Sequence, residues 1–222
     1  MKSVTLVSAT RGASLDEKAL GKSLRRIPDV VKTKFVTNNT DGLSKVYNRF
    51  LTAEYKDDIL LFVHDDVFLE DYYVAHRLNE AMEKFDVVGI AGQTNWPPDA
   101  VWDDGQNGVC ISKWNAGALT MGDEPLTSTC LWFSREPEQA CVMVDGLLIA
   151  MNTQRVLEVG ATFDEQFAFG IYDLDFSRTC VQKDLRVGVW PLVVTHQSNG
   201  NVVGSELWFK EMALYKEKWG NR

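Results

Sequence analysis

The 222-residue sequence is short of basic residues: 23 Lys and Arg stand against 31 Asp and Glu, for a formal charge of −8, with only three histidines. A general nucleic-acid binder needs a basic surface to displace counterions, so that class is excluded. An acidic protein can still hold a nucleotide where a metal supplies the local positive charge. No apolar run approaches the ~20 residues that span a bilayer. Met1-Lys2 leads directly into a strand-like run, with no signal-peptide pattern, so a soluble, cytoplasmic protein is expected. The four cysteines, Cys110, Cys130, Cys141 and Cys180, show neither CxxC nor zinc-ligand spacing and read as reduced thiols in apolar or mixed segments. Hydrophobic residues make up 45% of the chain, enough for the full core of one α/β domain.

Strands and helices alternate along the first half. Residues 3–9 read as a strand ending at Thr10-Arg11-Gly12, and Ser14 with Glu17 reads as a capping box opening a helix. Residues 32–37 form a second strand, stopped by the turn Asn38-Asn39-Thr40-Asp41-Gly42. Leu43, Val46, Tyr47, Phe50 and Leu51 follow the helix period, predicting a helix over 43–55. A strand to Val63, a helix over about 71–84 and a strand over 86–91 complete a parallel, doubly wound pattern. From Gly92 to about Pro137 the sequence reads as irregular, with Trp102, Trp114 and Trp132 spread through it to stack on a sugar or to pin the loop. Residues 140–151 read as a strand, with Asp145-Gly146 inside it, and 153–159 as a helix. Another helix starts at Asp175 or its neighbour, and 186–195 read as a strand ending in His196. The terminal helix, over about 204–219, puts Trp208, Met212, Tyr215 and Trp219 on one face, most simply for core packing. Lys210, Lys216, Lys218 and Arg222 leave room for a peripheral membrane contact, diluted by Glu206, Glu211 and Glu217.

The stretch with most chemical content is Ile59-Leu60-Leu61-Phe62-Val63-His64-Asp65-Asp66-Val67. Five successive apolar residues are the pattern of a strand buried on both faces. Three ionisable residues gather at its end, where open α/β sheets bind ligands. Strand alternation puts His64 and Asp66 on one side and Asp65 on the other. A hard divalent cation prefers carboxylate oxygen, and a diphosphate clamped to it would complete the coordination. The plainer alternative is a solvated acidic loop. Asp145 is a carboxylate in an apolar setting, which calls for a partner or a site.

Three islands, His64-Asp65-Asp66, Tyr172-Asp173-Leu174-Asp175 and His196 with Gly200, come in an order that resembles nucleotide-diphospho-sugar glycosyltransferases of the GT-A fold. The likeness is to the family 2-like group, in the small branch with His-x-Asp-Val in place of Asp-x-Asp. Residues 43–48 and Lys218-Trp219 are similar to that branch as well. The resemblance implies a Rossmann-like α/β/α sandwich with a mostly parallel central sheet. It implies a single domain over residues 1–222, with 1–95 as the nucleotide-sugar-binding half and 96–222 as the acceptor-binding and catalytic half.

Carried over by position, the resemblance implies that Asp66 holds a metal, Mn2+ or Mg2+, which His196 completes. His64 stands where the family has the ribose-contacting Asp, and Asp65 at its variable middle position. Ala9, Thr10, Arg11, Asn38, Asp41 and Asn48 lie where the family holds the nucleoside. Asp173 matches the presumed base, with Tyr172 replacing the usual Glu, while Asp145 is the second choice for base or sugar contact. The implied activity is transfer from a nucleotide-diphosphate sugar to a glycan or glycoconjugate acceptor, inverting, in polysaccharide or glycoconjugate synthesis. The alternatives are a catalytically silent nucleotide-sugar or glycan-binding module, or a same-fold sugar nucleotidyltransferase. The second lacks its glycine- and lysine-rich phosphate loop here, since Thr10-Arg11-Gly12-Ala13 carries one glycine and no lysine precedes Lys18. Asp173 or Asp175 could instead cap the helix beside them, and His76 reads as facing solvent.

Overall fold

The structure is a computed structural model describing residues 1–27, 31–96, 115–123, 129–132, 136–197 and 204–220. Its elements run β1 (Val4–Ala9), α1 (Ala19–Leu24), β2 (Val31–Val36), α2 (Leu43–Asn48) and a 3-10 turn at Ala53–Tyr55. Then come β3 (Ile59–Val63), β4 (Val67–Leu69), α3 (Val74–Lys84), β5 (Val87–Gly89) and β6 (Ala91–Gln93). β7 (Asn115–Met121), β8 (Thr129–Trp132), β9 (Met143–Val144), β10 (Leu148–Asn152) and α4 (Thr153–Glu158) follow. The last are α5 (Tyr172–Gln182), β11 (Val187–Val189), β12 (Val194–His196) and α6 (Glu206–Trp219).

One sheet has the order β11-β5-β10-β3-β1-β2. β1 pairs in parallel with β2 and β3, and β11 with β5, while β10 runs antiparallel to both β3 and β5. The sheet is therefore mostly parallel, and it takes strands from both sides of residue 95. All five residues of β3 are buried. Leu60 and Phe62 pack with the side chains of α2, α5 and α6, whereas Ile59, Leu61 and Val63 pack with those of α1 and α3. These two cores make the three layers of an α/β/α sandwich. A second sheet, β4-β12-β7-β6-β9 with β8 beside β7, abuts the first.

Several elements depart from the sequence pattern for a common reason. The run over 86–91 is two strands, β5 in the first sheet and β6 in the second. The run over 140–151 breaks at Asp145-Gly146-Leu147 as the chain passes from β9 in the second sheet to β10 in the first. The run over 186–195 breaks between β11 and β12, around Pro191, which has no N–H for a ladder. β3 and β4 likewise part at His64-Asp65-Asp66. Apolar residues run straight through the change at Ile90 and resume directly after Asp145-Gly146 and Pro191, so periodicity alone does not mark these breaks.

The stretch expected to be irregular from Gly92 contains β6, β7 and β8 among its described residues, while Trp102, Trp114 and Cys110 lie outside them. α1 starts at Ala19, not at Ser14, because the Ser14 hydroxyl is engaged locally, accepting from the Asp16 N–H at 2.9 Å. The expected 43–55 helix ends at Asn48, and the buried Tyr55 follows in the 3-10 turn. α5 begins at Tyr172, three residues before Asp175. α6 matches the expected terminal helix, with Ser205 as its N-cap accepting from Trp208 N–H at 3.2 Å. Cys141 and Cys180 are buried free thiols, and His76 is exposed beside Glu80. Among the described residues, no helix is long and apolar enough to cross a membrane.

Candidate active site

The residues with chemistry sit where the chain crosses between the sheets. His196, the last residue of β12, is the register partner of Val67, and the Gln197 N–H donates to the Asp66 carbonyl at 2.9 Å. That pairing carries His196 Nε2 to 3.4 Å from Asp66 Oδ1. The approach is an ion-pair contact without hydrogen-bond alignment, so Oδ1, itself shielded from solvent, has no hydrogen-bond partner. A buried carboxylate oxygen left so is costly. Burial pushes the Asp66 carboxyl up, but His196, His64 and the local backbone together outweigh it and the net displacement is below the usual carboxylate range. His64, Asp66 and His196 each offer a ligand atom, all within 4.8 Å of one another. An orphaned carboxylate oxygen beside two imidazoles fits a divalent cation.

His64 follows β3 directly and its backbone N–H donates to Leu147 O at 3.0 Å. Its Nε2 lies 2.7 Å from the Tyr172 hydroxyl, and its ring stacks on Phe169 with centroids 5.8 Å apart. Burial lowers the His64 pKa, which keeps the imidazole neutral. Asp145-Gly146-Leu147 forms the facing turn, tied by Asp145 N–H to Ala91 O at 2.9 Å and by Leu147 N–H to Asp145 Oδ1 at 2.9 Å. α5 presses its first turn against this one. The Tyr172 hydroxyl donates to Gly146 O at 2.8 Å, and the Gly146 N–H donates to Asp173 Oδ2 at 2.8 Å. A Cβ at position 146 would come within 2.2 Å of the Tyr172 oxygen, so only glycine permits the approach.

Asp173 takes a second amide bond at Oδ1, from Leu174 N–H at 2.8 Å. Its surroundings of protein atoms, and then the neighbouring Asp145, push its carboxyl up to about 7. Asp175, two residues on, is wholly buried and held by Lys218 at 2.8 Å and by the Trp219 indole N–H at 2.7 Å. Asp173 is therefore the acid facing the cluster, and Asp175 docks α5 onto α6.

Beside the cluster opens a cavity of about 560 Å³ whose lining includes Thr10, Arg11, Lys18, Asp41, Asp65 and Phe169. Asp65 points to this side, 3.7 Å from Lys18, while His64 and Asp66 point into the cluster, as strand alternation predicts. Another depression of about 510 Å³, between α1 and β2, holds none of the residues nominated from sequence.

A family model described as a glycosyltransferase like family matches residues 21–218. The chain belongs to that family. Its fold is GT-A, shared with solved structures at low identity. The structure of GalNAc-T7 with UDP, GalNAc and Mn2+ superposes with a TM-score of 0.54 at 11% identity, over 99% of this chain and 48% of that one. S. aureus TarS gives 0.53 at 15% identity, over 98% of this chain and 39% of that one. A197 from STIV gives 0.50 at 12% identity, over 90% of this chain and 87% of that one. The chain thus spans less than half of the GalNAc-T7 and TarS chains. No curated protein sequence matches it at comparable significance.

Within this glycosyltransferase the residues nominated from sequence fall into three sets. His64, Asp66, His196, Asp145 and Asp173 converge on the cluster and its facing turn. Ala9, Thr10, Arg11, Asp41 and Asp65 line the cavity, where the Asp41 carboxylate is paired with Lys45 at 2.8 Å and with Arg49. Asn38 and Asn48 line neither. Asn38 adopts φ 50° and its N–H donates to Gly12 O at 2.8 Å, holding the loops together. The Asn48 amide donates to Phe163 O at 2.9 Å and to Glu165 at 3.1 Å.

Sequence reasoning missed Lys18, Phe169 and Glu211. Glu211, almost fully buried, accepts N–H bonds from Ala168 (2.6 Å), Phe169 (3.3 Å), Gly170 (2.8 Å) and Ile171 (3.1 Å). It pins the strap that carries Phe169 to His64 and leads into Tyr172. The signal was present: Glu211 falls at the 208, 211, 212, 215 spacing of the apolar face of α6.

Proposed function

We propose that this glycosyltransferase moves a sugar from a nucleotide-diphosphate donor to a hydroxyl of a glycan or glycoconjugate acceptor, with inversion, as a step in building such a polymer. The observation that carries this reading is Asp66 Oδ1, which takes no hydrogen bond and lies 3.4 Å from His196 beside an open polar cavity. Asp66 and His196 would hold Mn2+ or Mg2+, which when bound offsets the charge on the leaving diphosphate. The neighbour GalNAc-T7, solved with UDP, GalNAc and Mn2+, supports that class of ligand.

In this reading the work divides along the chain. Residues 1–95 supply most of the donor cavity, closed on one side by Phe169 and Leu207, and in it Arg11 and Lys18 offer positive charge to phosphate oxygens and Thr10 a hydroxyl. Residues 96–222 supply the base and the acceptor side. Asp173 takes the proton from the attacking hydroxyl. Its two amide bonds fix the carboxylate while leaving each oxygen a free lone pair. A pKa near 7 matches a base to neutral pH. Asp145 raises that pKa by its charge and is the second candidate to touch sugar.

The test is donor turnover. Purified protein is incubated with a panel of UDP- and GDP-sugars in Mn2+, Mg2+ or EDTA, and release of free sugar is followed alongside thermal melting. Slow, cation-dependent hydrolysis of at least one donor is expected, with a rise in melting temperature from the bound ligand. Stabilisation by nucleotide-sugar with no turnover under any condition would make the chain a binding module instead.

A further inference from the structure

Two positions depart from the motifs this chain resembles, His64 and Tyr172, and the structure puts them 2.7 Å apart. Tyr172 is a buried phenol with a single proton, and it gives that proton to the Gly146 carbonyl at 2.8 Å. Its oxygen can then only accept from His64, so His64 carries its proton on Nε2. A neutral imidazole has one proton, which leaves the lone pair on Nδ1. The tautomer is set by a partner which is fixed in turn by the Gly146 backbone, where no side chain fits.

The geometry points to Tyr172 as a positioning residue that locks the tautomer of His64, so that His64 Nδ1, Asp66 and His196 form a two-histidine, one-carboxylate cation site. This rests on the metal-dependent reading above and adds a third ligand to it. The stacked Phe169 ring and the Tyr172 bond hold the imidazole from face and edge. Outer partners of this kind orient a ligating histidine and raise its basicity. Two imidazoles also shift the site away from Mg2+, which prefers oxygen donors, toward Mn2+ and later divalent ions.

The experiment titrates the metal-free protein with Mn2+ or Mg2+ alone by calorimetry and counts imidazole nitrogens on bound Mn2+ by pulsed electron paramagnetic resonance. Two coordinated imidazoles are expected, with Mn2+ bound at least tenfold more tightly than Mg2+. Tyr172→Phe keeps the ring and its packing, and should weaken Mn2+ ~10–100-fold, as loss of such an outer partner does. His64→Ala, at a less buried position, should leave one imidazole on the ion. A single imidazole in the parent protein, or unchanged Mn2+ affinity in Tyr172→Phe, overturns the inference while leaving cation binding by Asp66 and His196 intact. Absence of any Mn2+ binding in the parent overturns both.

Discussion

Two neighbouring parts of the site are built on opposite principles. The cavity at the ends of β1 and β2 is lined by exposed side chains such as Arg11 and Lys18, and its carboxylates Asp65 and Asp41 stand in surface ion pairs with Lys18, Lys45 and Arg49. Beside the cavity, the cluster of His64, Asp66 and His196 is backed by Tyr172 and Asp173, which are fixed by short bonds to Gly146 and Leu174. Exposed ion pairs contribute little, because water and salt screen them. Buried polar groups cost much when left unpaired, and are correspondingly well placed. In the proposed function this difference would give affinity to the outer part, where many weak contacts add up, and chemistry to the inner one, where orientation and pKa are set in advance.

The comparison breaks most sharply at Asp173. Asp173→Asn should lower transfer by about 10²–10⁴, the range for loss of a general base, with donor affinity in calorimetry unchanged. Turnover at the parent rate would move the base elsewhere, with Asp145 next in line. Asp175, on the same helical turn, should behave in the reverse manner. Asp175→Asn weakens the bonds to Lys218 and Trp219, while Asp164 keeps Lys218 paired, and should cost about 1–3 kcal/mol of stability in denaturant melts. Transfer by the fraction that remains folded should persist.

The pH dependence sharpens the contrast further. The Asp173 carboxyl is raised to about 7 in the folded protein, against ~3.9 in an unfolded chain. Folding therefore favours its protonated form, and its contribution to stability falls as pH rises from about 4 to 7. Transfer should climb over the upper part of that interval, since the base must be ionised. Asp173→Asn should gain in melting temperature relative to the parent at pH 8 and not at pH 4; an equal difference at both would remove the shifted carboxyl from the account. The smallest effect belongs to the outer part. Arg11→Ala should weaken donor binding by about tenfold or less, about 1 kcal/mol as for one exposed charged contact, and the loss should shrink as salt is raised.

Much of this was legible in the sequence, and its limits have a physical pattern. Ile59–Val63 could be read as a fully buried strand because no polar residue interrupts it, and the doubly wound pattern followed from strand and helix alternation. The sides taken by His64, Asp65 and Asp66 were legible too, since alternation survives one turn past the strand end. The sheet changes at Ile90, at Asp145-Gly146-Leu147 and around Pro191 were not, because a run that leaves one buried sheet for another is apolar on both sides of so short a break. That is why Asp145 read as a strand residue when it is a turn residue. The resemblance placed Asn48 among the nucleoside contacts; its amide donates to the backbone of Phe163, 115 positions on. Only tertiary structure reveals a partner so distant.

The Glu211 carboxylate has a consequence for how the molecule comes into being. Four amides of residues 168–171 find their acceptor 40 or more positions later in the chain. During translation that strap emerges from the ribosome long before its anchor does. The floor of the site stays unfastened until α6 has been made and docked. A nascent chain halted before position 211 would thus lack both the anchor of the strap and the later α6 side chains that close the core beneath it.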